Sequence, residues 1–138
     1  LIFRPSAVYG PGDTHNGYGP NRFVRSALKE NRIALFGNGE EKRDHIYIKD
    51  VGELLFLSIQ NRTEGVLNAV TGQAFSFMEV AQAVKALHGP TVAIEPSPRA
   101  NPVTHRHFDN AKLLKTFPAF RFTPLAEGLK TMFSAARL

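Results

Sequence analysis

The stretch RPSAVYGPGD, Arg4 to Asp13, decides how the rest of the chain is read. The apolar triplet Leu1-Ile2-Phe3 runs into it without alternation, as a strand covered on both faces of a parallel sheet does. Pro5, Gly10, Pro11 and Gly12 then end regular structure. A strand followed by Gly-Pro-Gly has the outline of a phosphate-binding turn, so the glycine spacing is the test. The dinucleotide fingerprint G-x-G-x-x-G needs a third glycine after Gly10 and Gly12 at position 15, which is His15. After Gly37 and Gly39 it needs one at position 42, which is Lys42. Neither loop qualifies, and the P-loop lysine pattern is absent as well.

Downstream, a helix is expected from Pro20, where a missing N–H costs nothing, with Phe23, Val24, Ala27 and Leu28 on its apolar face. RIALFG and RDHIYIK read as two short strands joined by the turn GNGEEK. Asp50 and Glu53 suggest a capping box opening a helix to about Asn61, buried by Val51, Leu54, Leu55, Phe56, Leu57 and Ile59. GVLNAV is a strand. Ser76 and Glu79 form a second box, opening a helix with Phe77, Val80, Ala81, Val84 and Leu87 on one side. TVAIEP is a strand and SPRANP a broken loop. Short and long helices follow from Asp109 and from Thr123-Pro124. Strands alternate with helices, so the class is α/β.

Bulk properties narrow the function. The 138 residues suffice for an ordinary domain, with 43% hydrophobic and 21% charged residues. The net charge of +5 comes from basic residues scattered singly, so nucleic acid is not an expected partner. No apolar run approaches the ~20 residues that span a bilayer, so no membrane is expected either. The absence of cysteine suits a cytoplasmic protein and removes thiolate metal sites. His105 and His107 alternate but lack a third ligand, so no metal is expected.

The tyrosine-lysine pair of many dehydrogenases, Tyr-x-x-x-Lys, is also missing: Tyr9 is followed at that spacing by Asp13, Tyr18 by Arg22 and Tyr47 by Val51. What remains is suited to binding. Arg22, in the first turn of the Pro20 helix, reads as a solvated side chain or as a partner for an anion at that terminus. Arg43 reads as an ion-pair partner of Glu40, Glu41 or Asp44, or as a planar fork for a diphosphate. Phe36 reads as core or as a surface for a flat ring.

Four blocks, RPSAVYGPGD, ALFGNGEEKRDHIYIKDV, NAVTGQAFSFMEVAQAV and FTPLAEGLKTMF, follow one another as in the extended short-chain dehydrogenase/reductase family. The chain most resembles its nucleotide-sugar epimerases and dehydratases. The resemblance implies the C-terminal part of such a protein: the last Rossmann strand and its loop (residues 1–16) and a small α/β substrate-binding domain (residues 17–138). It implies that the glycine fingerprint and the catalytic Tyr-x-x-x-Lys belong to an N-terminal Rossmann part, which becomes a partner of this one. It further implies Pro5 and Val8 on the nicotinamide side and Ser6 on the sugar side of the loop. Asn21 and Arg22 match a polar pair opening the substrate helix, Ala34 and Phe36 the segment against the nucleotide base. Arg43 matches the arginine that grips the diphosphate, and Arg99 a second phosphate-side arginine.

NAD or NADP is the implied cofactor of the parent protein, a nucleotide sugar its substrate, and no cofactor or turnover is expected of this chain alone. Two departures keep alternatives open. Ala7 stands where the family often has Asn, and Pro102 where it often has an acid. The missing acid permits a reductase of a non-nucleotide substrate, and a non-catalytic anion-binding module is a further alternative from another class. The strand Leu1-Ile2-Phe3 lacks its expected neighbours, which predicts displacement or pairing with another molecule as a homo-oligomer. The helices are expected to pack around Leu54, Leu55, Val80, Val84, Leu129 and Phe133.

Overall fold

The computed structural model describes residues 1–136, and in them strands and helices alternate. The first half runs β1 (Ile2–Pro5), β2 (Ala7–Tyr9), α1 (Pro20–Glu30), β3 (Arg32–Phe36), β4 (Lys42–Tyr47) and α2 (Ile48–Gln60). The second half runs β5 (Val66–Ala69), β6 (Ala74–Ser76), α3 (Phe77–His88), β7 (Ala93–Ser97), α4 (Ala111–Thr116) and α5 (Leu125–Ala136).

Parallel pairing dominates, as helical crossovers require. β1 pairs with β5 from Ile2 opposite Val66 to Pro5 opposite Ala69. β2 pairs with β4, placing Ala7 opposite His45, and β3 pairs with β7. β6 joins β4 antiparallel, with Arg43 opposite Phe75. The expected turn at Gly37–Glu41 is present, but the strands it links part company into different sheets. Gly39 is needed there: its φ is +73°, and a Cβ would come 2.7 Å from the Met78 backbone nitrogen.

Two cores result. One gathers Phe23, Ala27, Ile33, Leu35, Val80, Val84, Leu129 and Phe133 from α1, β3, α3 and α5. The other gathers Ile46, Leu54, Leu67 and Leu113 from β4, α2, β5 and α4, with Phe117 just after α4.

The helix starts follow local chemistry in two cases. Pro20 occupies the first turn of α1, and Asn31 closes it in the left-handed region at φ 50°. At α3 the Ser76 hydroxyl accepts from Glu79 N–H at 3.1 Å, and the Glu79 carboxylate accepts from Ser76 N–H at 2.7 Å. Such a box contributes about 1 kcal/mol.

α2 corrects two expectations. It starts at Ile48 with no side-chain cap, because the Asp50 carboxylate is turned inward to accept from Thr123 N–H and Oγ1–H at 2.8 and 2.7 Å. Nor is the helix buried all round. Val51 and Leu54 are inside, but Ile48, Leu55, Phe56 and Ile59 are 44%, 38%, 64% and 77% exposed along one stripe. Leu55 is thus not a core residue. β1 also finds a neighbour within the chain, β5, while Leu1 and Ile2 stay about half exposed at 51% and 56%. Among the described residues no helix is long and apolar enough to cross a membrane, and no group of His, Cys, Asp and Glu could hold a metal ion.

Candidate functional site

β4 carries the site. Its start, Arg43-Asp44-His45, is walled on one side by β2 and on the other by β6. Above it opens a cleft of about 370 Å³ lined by Pro5, Ser6, Ala7, Tyr18, Arg43, Asp44, His45, Phe77, Arg106 and Phe108.

Asp44 anchors the floor. Its buried carboxylate accepts from Ser6 Oγ–H at 2.7 Å, Thr71 N–H at 3.1 Å and Gly72 N–H at 2.8 Å. It thereby ties the segment after β1 and the β5–β6 turn to β4. Ser6, expected on the sugar side, is fixed in the cleft by this bond.

Arg43 lies along the rim with its guanidinium carbon 5.9 Å from the centre of the Phe77 ring. It donates to the Thr104 carbonyl and, at 3.2 Å, to Thr104 Oγ1. Of its three candidate acids, Glu41 is the partner, at 3.5 Å. Glu41 also pairs with Arg99 at 3.2 Å and accepts from Thr104 N–H at 3.1 Å. Desolvation pushes the Glu41 carboxyl up, but the bonds from Arg99 and Thr104 and the Arg43 charge outweigh it and hold it down to about 2. The acid is therefore ionised and both arginines are held in place.

Arg99 reaches on to the Phe36 carbonyl at 3.3 Å. Phe36 is half exposed and stacks on Tyr18 with ring centres 4.5 Å apart and planes 28° from parallel. The Tyr18 hydroxyl accepts from Phe36 N–H at 2.9 Å. Ala34, two residues back on β3, is exposed on the same face. Phe36, Arg43 and Arg99 thus form one edge through Glu41, which spacing alone showed only as one of three ion-pair candidates.

The second half of the loop behaves differently. Val8 lines a neighbouring cleft of about 300 Å³ with Tyr9, Gly10, Pro11, Gly12, Asp13, Asn21 and Ile48. Pro5 lines the Ser6–Arg43 cleft instead, so the two residues border different clefts. Asn21 is buried and holds the loop: its Oδ1 accepts from Gly10 N–H at 3.1 Å, and its amide donates to Asp13 at 2.6 Å. Arg22 is half-buried at the start of α1 and makes no side-chain hydrogen bond among the described residues. Arg25, one helical turn on, braces the loop through Asp13 at 3.6 Å and the Asp13 carbonyl. Its spacing from Asn21 was the signal that could have found it.

Parallel strand pairs with helical crossovers, and an arginine-edged cleft beside the loop that leaves a strand, define an α/β protein of Rossmann-like type. The model of the NAD dependent epimerase/dehydratase family matches residues 1–70, and the chain belongs to that family.

Solved structures agree. TunA, an NAD-dependent NDP-hexosamine 5,6-dehydratase involved in tunicamycin biosynthesis, is 26% identical with a TM-score of 0.87 over 99% of this chain and 45% of its own. MoeE5, solved with UDP-glucose and NAD, is 30% identical with a TM-score of 0.82 over 98% of this chain and 46% of its own. The UDP-glucose 4-epimerase of Thermus thermophilus, solved with NAD, is 27% identical with a TM-score of 0.79, covering 98% and 45%. The chain therefore spans a little under half the length of these relatives.

Proposed function

We propose that this chain is the substrate-binding portion of an NAD(P)-dependent nucleotide-sugar epimerase or dehydratase. The carrying observation is the cleft above β4, where Ser6, Arg43 and two aromatic rings, Phe77 and Phe108, meet. In this reading Arg43 and Arg99 take the diphosphate, Ala34 and Phe36 lie against the base, and Ser6 faces the sugar. Asn21 shapes the loop and Arg22 adds positive charge beside it. MoeE5 was solved with UDP-glucose, which supports a nucleotide sugar as the ligand class.

In the same reading Pro5 and Val8, which border the cleft and its neighbour, lie on the nicotinamide side of the loop. When bound, that ring would accept and return a hydride. The residues here would bind and orient the sugar beside it. The sequence holds neither the glycine fingerprint nor Tyr-x-x-x-Lys, so we expect no turnover from this chain by itself. The exposed stripe of α2, with Leu1 and Ile2, would be covered by the rest of a full-length protein.

Calorimetric titration of the chain with UDP-glucose tests the assignment. Arg43→Ala should weaken binding by about 1.5–3 kcal/mol, the range for hydrogen bonds to charged groups. An unchanged dissociation constant in a folded variant would return Arg43 to a purely structural ion pair.

A further inference from the structure

Arg43, Asp44 and Arg106 are the acidic and basic side chains that line the cleft, and the first two are already engaged. Arg43 pairs with Glu41, and the Asp44 carboxylate accepts from Ser6, Thr71 and Gly72. Arg106 makes no ion pair among the described residues. Its backbone is nevertheless held in place, because residues 104–106 run beside the start of β4. Thr104 N–H donates to Glu41 at 3.1 Å and Arg106 N–H to the Lys42 carbonyl at 3.1 Å, while His105 Nδ1 accepts from Lys42 N–H at 3.3 Å. In extended backbone successive side chains point to opposite sides. His105 and His107 accordingly stand together, with ring centres 6.3 Å apart, whereas Arg106 and Phe108 border the cleft.

We infer that Arg106 is a specificity residue, reading a carboxylate carried by the ligand's sugar inside the Ser6–Arg43 cleft. This rests on the nucleotide-sugar reading of that cleft. A guanidinium offers only donors, in a planar fork, so the group it suits best is an oxyanion. Position separates Arg106 from the arginines assigned to the diphosphate. Arg99 lies off the cleft, bonded to the Phe36 carbonyl and paired with Glu41, on the side assigned to the base. Arg106 instead shares its cleft with Ser6, on the side assigned to the sugar. Asp44 does not answer it from within, since its oxygens serve three other donors. A neutral sugar would leave the fork to water, whereas a carboxylate can take it through two parallel hydrogen bonds.

Calorimetry on the whole chain compares UDP, UDP-glucose and UDP-glucuronate, which carries a carboxylate where UDP-glucose has a hydroxymethyl group. The wild type should bind UDP-glucuronate roughly fivefold more tightly than UDP-glucose, the upper end for an exposed ion pair. That preference should shrink as salt is raised, which a structural role would not produce. Arg106→Gln removes the charge at an exposed position, and circular dichroism checks that the fold is kept. It should abolish the preference while leaving UDP and UDP-glucose within about twofold of the wild type. Arg106→Lys, which keeps the charge without the fork, should retain part of it. If Arg106→Gln weakens all three probes alike, the arginine serves the diphosphate and the sugar assignment is overturned. If the wild type binds UDP and UDP-glucose but shows no preference for UDP-glucuronate, Arg106 is a solvated charge and only the nucleotide-sugar reading stands. If the wild type binds none of the three, that reading fails and this one falls with it.

Discussion

Replacing Asp44 tests whether the cleft floor is held by one carboxylate. The Asp44→Ala change leaves Ser6 Oγ–H, Thr71 N–H and Gly72 N–H without the acceptor they share, at a site 2% exposed. Each stranded donor costs about 1–3 kcal/mol, reduced where the strand ends relax or water enters. We expect a total loss of about 3–5 kcal/mol, a large part of the roughly 5–15 kcal/mol that holds a domain folded. The chain has no tryptophan, so urea unfolding followed by far-ultraviolet circular dichroism is the assay. With a slope of roughly 2 kcal/mol per molar, the midpoint should fall by about 2 M. Asp44→Asn should lose about half as much, because its amide oxygen can still accept from Ser6 and Thr71 while its NH₂ faces Gly72 N–H. A midpoint for Asp44→Ala within about 0.5 M of the wild type would refute the reasoning.

Two further outcomes follow from the same geometry. As pH falls from 6.5 to about 4, the unfolded chain protonates at His45 before the folded one, because burial, opposed by Asp44 and helped by Arg43, disfavours the folded imidazolium. Stability should therefore drop by on the order of 3 kcal/mol across that window, a loss that His45→Phe removes. Glu41, whose carboxyl is held down from 4.5 to about 2, contributes stability that is present above 4.5 and lost only below it. Urea midpoints at stepped pH separate the two windows. On α2, Phe56→Ser with Ile59→Ser should change stability by under about 1 kcal/mol and reduce self-association in light scattering. A large loss of stability would mean that the stripe is covered by the chain itself.

Local signals read well where the partner is close in sequence. The Ser76–Glu79 box spans one turn, so it could be seen from spacing, and it is present. Asp50 and Glu53 offered the same pattern, yet Asp50 bonds Thr123, 73 positions away. A buried carboxylate takes the donors its fold supplies, and no local rule predicts which. The apolar count of α2 failed for a related reason: it measures how much apolar surface there is, not which neighbour covers it. In the site, Arg43 and Phe36 stood out through the order of four blocks rather than through their own surroundings. Glu41 could not, because its importance lies in joining Arg43 to Arg99 across more than fifty residues of chain. His45 looked like an ordinary strand residue until both faces of its strand were covered.

That covering explains why chemistry collects on β4. Asp44, His45, Ile46 and Tyr47 are all buried, so the strand is enclosed on both faces rather than alternating in and out. Ile46 enters the core shared by α2, β5 and α4, whereas Tyr47 enters the core shared by α1, α3 and α5. β4 is thus the wall between the two cores. Bending it would disturb both cores at once. Arg43 gains its orientation from this strand at one end and from Glu41 and Thr104 at the other. A guanidinium held in that way loses little conformational freedom when it meets an anion, which makes more of each hydrogen bond available as affinity. The same wall leaves both ring nitrogens of His45 buried, with no hydrogen-bond partner among the described residues. In the proposed reading, rigidity inherited from two cores, rather than any glycine-rich loop, is what this part of the fold would contribute to recognition.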